Sequence, residues 1–271
     1  MATIANTLLA GSWLSSIAAG VFVILAITFQ VIRNNQTWAA AAKGTAEKAP
    51  GRMASAFAAI YNKPRMFIDI LALAGLFFFI KAIAYWALFY GVGITGANFW
   101  GESLSWTISF LFFTKAISDY LCLKADWKFI TMYAVAAAPG ALFAGSFAGP
   151  ANQLAFVILA GVWFLLFTIV IWVFRDRMST CKHPDTWATV SLILFIVAFY
   201  VGYYTPFILS PVYMGTISNT ATIIWYLVAD FVVLVWFVIL AATAIDCSTV
   251  EKILKDEVAS RSVSPAQRKF Q

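Results

Sequence analysis

Charged side chains are scarce in this sequence: only 11% of its 271 residues are Asp, Glu, Lys or Arg, whereas 62% are hydrophobic. The mean hydropathy is +0.86. A water-soluble domain needs a largely polar surface, and a chain this apolar has too few polar residues to supply one. The composition therefore argues against a soluble domain and indicates an integral membrane protein.

Histidine and cysteine are also rare, with one His and three Cys in the chain. Cys122, Cys181 and Cys247 provide neither a zinc-site spacing nor a disulfide framework. We expect these thiols to be reduced, because they lie at predicted cytoplasmic ends of spans or in a cytoplasmic loop. A haem or copper site would need buried His, Met or Cys ligands, so we expect no metal site.

Motifs of soluble-substrate enzymes are missing as well. The sequence contains nothing that resembles a P-loop, a glycine-rich nucleotide-binding site or a hydrolytic triad. We therefore expect no enzymatic activity and no nucleotide cofactor.

Long apolar runs are what the sequence has in abundance. Seven runs are long enough to cross about 30 Å of hydrocarbon, at residues 7–32, 66–91, 99–123, 127–147, 152–175, 187–210 and 219–246. Uninterrupted runs of this length predict helices, since the ten-residue alternation of a membrane β-barrel is absent. We predict an all-α integral membrane protein, with a seven-transmembrane-helix bundle in residues 1–246.

The positions of lysine and arginine predict the orientation of this bundle. Apart from Lys81 and Lys115, six lie between the first and second spans, two at the link between the third and fourth, three at the link between the fifth and sixth, and five after the seventh. The loops on the opposite side carry none. By the positive-inside rule, the N-terminus is outside and the C-terminus is cytoplasmic, and we expect the plasma (inner) membrane. The net charge of +6 then needs no nucleic-acid partner.

Two segments are predicted to lie in the cytoplasm. The link 33–65 has alanine-rich halves, which indicate short surface helices against anionic headgroups, and a solvated linker is the equal alternative. The tail 247–271 begins as an amphipathic helical continuation and ends polar and disordered.

Four charged residues fall well inside the predicted spans: Lys81, Lys115, Asp119 and Asp230. Charge in hydrocarbon is costly, so these residues mark an ion or proton path, a ligand anchor, or neutralised pairs that set helix register. Lys115 and Asp119 are four residues apart and can pair within one helix. Lys81 and Asp230 lie at similar depth and can pair if their helices touch. We expect both lysines to face the interior, and Glu102 to be solvated at its span end.

Two stretches resemble the microbial (type I) rhodopsins, especially the proteorhodopsin and xanthorhodopsin branch. "YLVADFVVL" (Tyr226 to Leu234) resembles the seventh-helix pattern Leu-Ala-Asp-Phe-Val-x-Lys. "FYVGYYTPFIL" (Phe199 to Leu209) resembles the sixth-helix pattern Tyr-Pro-Val-Gly-Tyr-Phe-Thr-Gly, without its first proline. The seven spans, the outside N-terminus and the short middle loops also fit this family.

The resemblance implies roles for individual residues. Asp230 matches the seventh-helix carboxylate of the Schiff-base counter-ion complex. Tyr203 and Tyr204 match positions near the ring end of a retinal pocket, and Tyr200 belongs to the same candidate pocket. The position that matches the retinal lysine is Leu234, which has no amine and cannot form an imine.

The third span departs from the family too. It lacks the pattern Arg-Tyr-x-Asp-Trp, and Ile108 or Ser109 stands where the primary proton acceptor is expected. Asp119 falls close to the proton-donor position. The retinal lysine, the primary proton acceptor and the third-helix arginine are all missing, so the usual light-driven proton pump is not expected.

Retinal is then possible only through a relocated lysine. Burial can turn a lysine into a neutral amine that forms an imine, and Lys115 or Lys81 could do so with Asp230 as counter-ion. The simpler interpretation pairs Lys81 with Asp230 and Lys115 with Asp119, and expects no cofactor.

Three functions remain open. The favoured one is a rhodopsin-like membrane protein without the Schiff-base lysine, acting as a non-pumping sensor, scaffold or partner subunit. The second is a retinal photoreceptor or ion-translocating rhodopsin with its chromophore on Lys115 or Lys81. The third is a transporter, channel or structural subunit of a larger membrane complex. The lipid bilayer is the expected partner in each case, with a homo-oligomer or partner membrane subunits as further candidates.

Overall fold

The computed structural model describes residues 2–34, 65–94, 99–148, 150–178 and 185–244, which form seven long helices. The first four are α1 (Ala2–Asn34), α2 (Arg65–Phe89), α3 (Trp100–Tyr120) and α4 (Ala125–Gly145). They are followed by α5 (Pro150–Met178), α6 (residues 185–209) and α7 (Asn219–Thr243). All seven predicted helices are confirmed. The largest difference in their bounds is the start of α1, at Ala2 rather than at residue 7.

Helix α6 consists of three consecutive parts. An α-helical part, Asp185–Val197, leads into a π-helical part, Ala198–Tyr204, and a short α-helical part, Thr205–Leu209, completes it. The hydroxyl of Thr205 donates to the carbonyl of Tyr200 at 2.7 Å, across the wide π-helical turn. Such turns often occur at functional sites.

Six of the seven helices, all except α3, are long and apolar enough to cross a membrane. Helix α3 has 21 residues, as many as α4, but it carries many polar side chains, most of them buried. It packs between α2 and α4, so its polar face points at other helices. The chain is an integral, multi-pass membrane protein with a bundle of seven helices, and the orientation of its termini stays a prediction.

The helices form a ring in chain order. Each packs on the next, and α7 closes the ring against α1 and α2. The interior is dominated by phenylalanine rings that are at most 1% exposed: Phe77, Phe78, Phe110, Phe113, Phe164, Phe195, Phe199 and Phe237. Because lipid covers the outward faces, the helices are apolar on both sides, and packing rather than amphipathicity holds them together.

Several sequence predictions lie outside the described residues. These are the surface helices predicted within the link 33–65, whose described part is limited to its two ends, and the cytoplasmic tail 247–271. The thiols of Cys181 and Cys247 lie there too, whereas Cys122 is buried.

Candidate functional site

A buried cluster of charges joins three helices. The ammonium of Lys81 on α2 contacts Oε1 of Glu102 on α3 and lies 3.3 Å from Oδ2 of Asp230 on α7. The three side chains are 0%, 2% and 2% exposed. We call these residues the ion cluster. Groups buried this deeply tie the helices together, because separating them would leave charges unpaired in a medium of low dielectric constant.

The predicted pair of Lys81 and Asp230 is thus confirmed, but the prediction for Glu102 is wrong. Glu102 lies in the first turn of α3, yet it is buried rather than solvated. The link between α2 and α3 explains this burial, since the amide of Gly101 donates to the carbonyl of Gly93 at 3.0 Å and draws the start of α3 against α2.

Glu102 is one of the residues of this candidate site that the sequence did not predict, and Tyr85 and Trp106 are others. Oε1 of Glu102 accepts a hydrogen bond from Nε1 of Trp106 at 2.9 Å, and its Oε2 lies 3.4 Å from Oγ of Ser105. Ser105 and Trp106 follow Glu102 by three and four residues and therefore share its helix face. A carboxylate followed at this spacing by two side-chain donors was a signal in the sequence that could have indicated a buried Glu102.

Two tyrosine hydroxyls hold Asp230 in place. Tyr85 donates to Oδ2 at 2.7 Å, and Tyr203 donates to Oδ1 at 2.6 Å. Tyr85 lies one turn after Lys81 on α2, so both groups that reach Oδ2 come from one helix face. Each carboxylate oxygen of Asp230 therefore has a donor, as a buried charged group requires.

Aromatic rings surround the ammonium group of the ion cluster. Nζ of Lys81 lies 5.4, 5.8 and 5.3 Å from the ring centroids of Tyr85, Trp106 and Tyr203. The ring of Trp106 also contacts Tyr226, at 4.6 Å between centroids. Ring faces at these distances attract a cation, and the rings separate Lys81 from the lipid.

The π-helical part of α6 divides the three candidate tyrosines between two neighbours. Tyr203 reaches the ion cluster. Tyr200 and Tyr204 instead donate to backbone carbonyls of α5, those of Gly161 at 2.5 Å and Val157 at 2.8 Å. A π-helical turn is wider than an α-helical turn, which moves Tyr203 away from the face shared by the other two. The structure does not bring the three tyrosines together into one pocket.

Lys115 and Asp119 pair as predicted, but they have a third partner. Nζ of Lys115 contacts Oδ2 of Asp119, and Nζ of Lys128 on α4 lies 2.6 Å from Oδ1. The side chain of Lys115 is 34% exposed, so the expectation that it faces the interior is wrong. This second cluster lies where α3 ends and α4 begins.

The remaining candidate, Leu234, is partly buried and packs against the aromatic core. Phe164 and Phe199 stack in that core with centroids 3.8 Å apart. Phe113 contacts two further rings, Phe195 at 5.2 Å and Phe237 at 5.4 Å. These contacts fill the space between α3, α5, α6 and α7 with side chains.

Replacing Tyr203 by phenylalanine is expected to lower the free energy of unfolding by about 1.5–3 kcal/mol, because a hydrogen bond to a charged group is lost. The matched control is Tyr204→Phe, which removes a hydrogen bond to the neutral carbonyl of Val157 and is expected to cost about 0.5–1.5 kcal/mol. Unfolding of the detergent-solubilised protein by SDS measures both. Equal losses of unfolding free energy in Tyr203→Phe and Tyr204→Phe would contradict the assignment of Asp230 as a charged acceptor.

The seven-helix bundle has a rhodopsin-like fold, as a comparison with solved structures shows. A crystal structure of a cyanorhodopsin from the cyanobacterium Calothrix sp. NIES-2098 matches with a TM-score of 0.70 and 14% sequence identity, over 91% of this chain and 96% of the cyanorhodopsin. At this identity the likeness concerns the fold alone. No family model matches the chain, and no curated protein matches it. The resemblance to microbial rhodopsins is confirmed for the fold, while the branch and the loss of the retinal lysine stay predictions.

Proposed function

We propose that the protein is a rhodopsin-like membrane protein that works without a Schiff-base retinal. It acts as a non-pumping, non-enzymatic sensor, scaffold or partner subunit of the plasma membrane. The observation that carries this proposal is the ion cluster. The amine beside Asp230 belongs to Lys81 of α2 and is engaged by two carboxyl groups, Glu102 and Asp230.

The lysines present do not fit a covalently bound retinal. An imine needs an amine that is free to react. Leu234 has none, and the amine of Lys81 is held by Glu102 and Asp230 and enclosed by three aromatic rings. The side chain of Lys115 is 34% exposed, but its amine pairs with Asp119, beside Lys128, near the end of α3.

The packing of the interior supports the same proposal. An elongated polyene needs an apolar cavity that encloses most of its surface. In the bundle, the stacked pair Phe164–Phe199 and the contacts of Phe113 with Phe195 and Phe237 occupy the space between the helices. Binding a long chromophore there would require several buried rings to move, and close-packed interiors resist such changes.

An absorption spectrum tests the proposal. The purified protein, supplied with all-trans-retinal, is expected to stay colourless, whereas a microbial rhodopsin that has the seventh-helix lysine, prepared in the same way, provides the coloured control. A visible band that bleaches with hydroxylamine and disappears in Lys81→Ala or Lys115→Ala would contradict the proposal and support a relocated chromophore.

The variant Leu234→Lys separates the two reasons for the absence of colour. It returns an amine to the position that matches the retinal lysine. The variant stays colourless if the packed rings exclude retinal, and it becomes coloured if only the amine was missing. Gentle purification from the native source then distinguishes a partner subunit, which co-migrates with other proteins, from a protein that acts alone.

A further inference from the structure

We infer that the ion cluster is a proton-binding site, in which Glu102 and Asp230 together hold one exchangeable proton beside Lys81. The inference rests on the proposed function and adds to it that the species sensed at this site is the proton. Three observations support it: the charge balance of the cluster, the unequal hydrogen bonding of its two carboxyl groups, and a groove lined by the serine that contacts one of them.

The ion cluster has one more acidic group than it has basic groups. The cluster has one ammonium group and two carboxyl groups, all at most 2% exposed. Within the described part of the chain, Lys81 is the one basic residue in ion-pair contact with either carboxylate. If both carboxyl groups were ionised, one negative charge would be uncompensated in a medium of low dielectric constant, where it is very costly. One bound proton makes the cluster neutral.

The other titratable groups around the cluster are phenols. They are Tyr85 from α2, Tyr203 from α6 and Tyr226 from α7, whose ring packs against Trp106. Helix α1, which packs on α2 and α7, carries one titratable side chain, Arg33, in its last turn. Tyrosine hydroxyls stay protonated near neutral pH, so they stabilise a carboxylate as donors without balancing its charge.

Hydrogen bonding distinguishes the two carboxyl groups. Both oxygens of Asp230 accept from tyrosine hydroxyls, at 2.6 and 2.7 Å. Oε1 of Glu102 contacts Lys81 and accepts from Trp106. Among the described residues, the hydrogen-bond partner of Glu102 Oε2 is Ser105, at a long 3.4 Å, and the hydroxyl of Ser105 donates to the Glu102 carbonyl at 2.8 Å. Oε2 is therefore the oxygen with room for a proton, which it can donate to the Ser105 hydroxyl.

A groove between α2 and α3 has Ser105 among its lining residues. It has a volume of about 290 Å³ and extends past the end of α2 to Val92 and Gly93. Oγ of Ser105 lies 3.4 Å from Oε2 of Glu102, so this hydroxyl connects the groove lining with the carboxyl group. A hydroxyl can accept a proton on one side and donate one on the other.

Infrared spectroscopy of the full chain in lipid nanodiscs at neutral pH tests the inference, since a protonated carboxyl group has its own C=O stretching band. The wild-type protein is expected to show this band and to shift it in D₂O. Both Glu102→Gln and Asp230→Asn are expected to lose it, because Lys81 balances the one carboxylate that remains. The matched control Asp119→Asn, in the second cluster, is expected to keep it.

Absence of the band from the wild-type protein, or its survival in Glu102→Gln or Asp230→Asn, would overturn the inference. The proton route through Ser105 is tested by the rate at which the carboxyl band shifts in D₂O. Ser105→Ala is expected to slow it relative to Ser109→Ala, another buried serine of α3, and equal rates would overturn the route through Ser105.

The colour test and the infrared test can overturn the retinal-free function and the proton-binding site separately. A coloured protein overturns the retinal-free function whether or not the carboxyl band is present. A colourless protein without the band overturns the proton-binding site and leaves the retinal-free function standing.

Discussion

Replacement of Lys81 by methionine is expected to lower the free energy of unfolding by about 3–5 kcal/mol. Methionine has a similar length and is tolerated in apolar surroundings, so the substitution removes the charge with little change in volume. It leaves Glu102 and Asp230 buried beside each other without a cation, and the loss of one partner is the costly way to break a buried ion pair. SDS-induced unfolding of the detergent-solubilised protein measures the change.

The matched control is Lys115→Met on α3. Asp119 keeps Lys128 as a partner at 2.6 Å, and the side chains of Lys115 and Lys128 are 34% and 28% exposed. We expect a loss of at most about 1 kcal/mol, because the lysines are partly exposed and Asp119 keeps one of them as a partner. Adding Glu102→Gln and Asp230→Asn to Lys81→Met is expected to recover much of the stability, because no charge is then left buried. A similar loss in both single lysine variants would contradict the buried position of the ion cluster.

Replacement of Phe237 by alanine is the second change with a large expected effect, a loss of about 3–5 kcal/mol. Phe237 is 0% exposed, and its ring lies 5.5 Å from that of Phe77 and 5.4 Å from that of Phe113. In a membrane protein, association of helices depends on van der Waals packing, so a cavity at the meeting point of α2, α3 and α7 removes contacts from all three. The same SDS titration reports the loss.

Phe231 provides the control on the same helix. Its side chain is 53% exposed on the outside of the bundle, where lipid can replace the lost contacts. Phe231→Ala is expected to change the free energy of unfolding by less than about 1 kcal/mol, in line with substitutions outside the packed interior. If the two variants lost equal stability, Phe237 would not be part of the packed interior.

The helices could be predicted from the sequence because the length of an apolar run is a local property. Six of the seven runs also meet the criteria for a membrane span. Helix α3 is the exception because it carries many polar side chains, most of which are buried against neighbouring helices. The run 99–123 was nevertheless long enough to predict this helix from the sequence.

The site was predicted in part. Lys81 and Asp230 were identified because an isolated charge in an apolar run needs a partner, and depth along the helices was enough to pair them. Glu102 was missed because its position near a helix end indicated solvation, and the tight link at Gly93 and Gly101 was not visible in the sequence. Tyr200 and Tyr204 were grouped with Tyr203 because of the resemblance to the rhodopsin sixth helix, and the sequence did not reveal the π-helical turn that separates them.

The sequence by itself determined that this chain is a bundle of membrane helices and that its interior charges must be paired. Both follow from the cost of placing polar groups in hydrocarbon, which depends only on what each residue is. The tertiary structure alone decided that Glu102 joins Lys81 and Asp230, and that phenylalanine rings fill the interior. These contacts depend on the rotation of each helix about its axis. Helices that are apolar on every side leave that rotation undetermined until they pack.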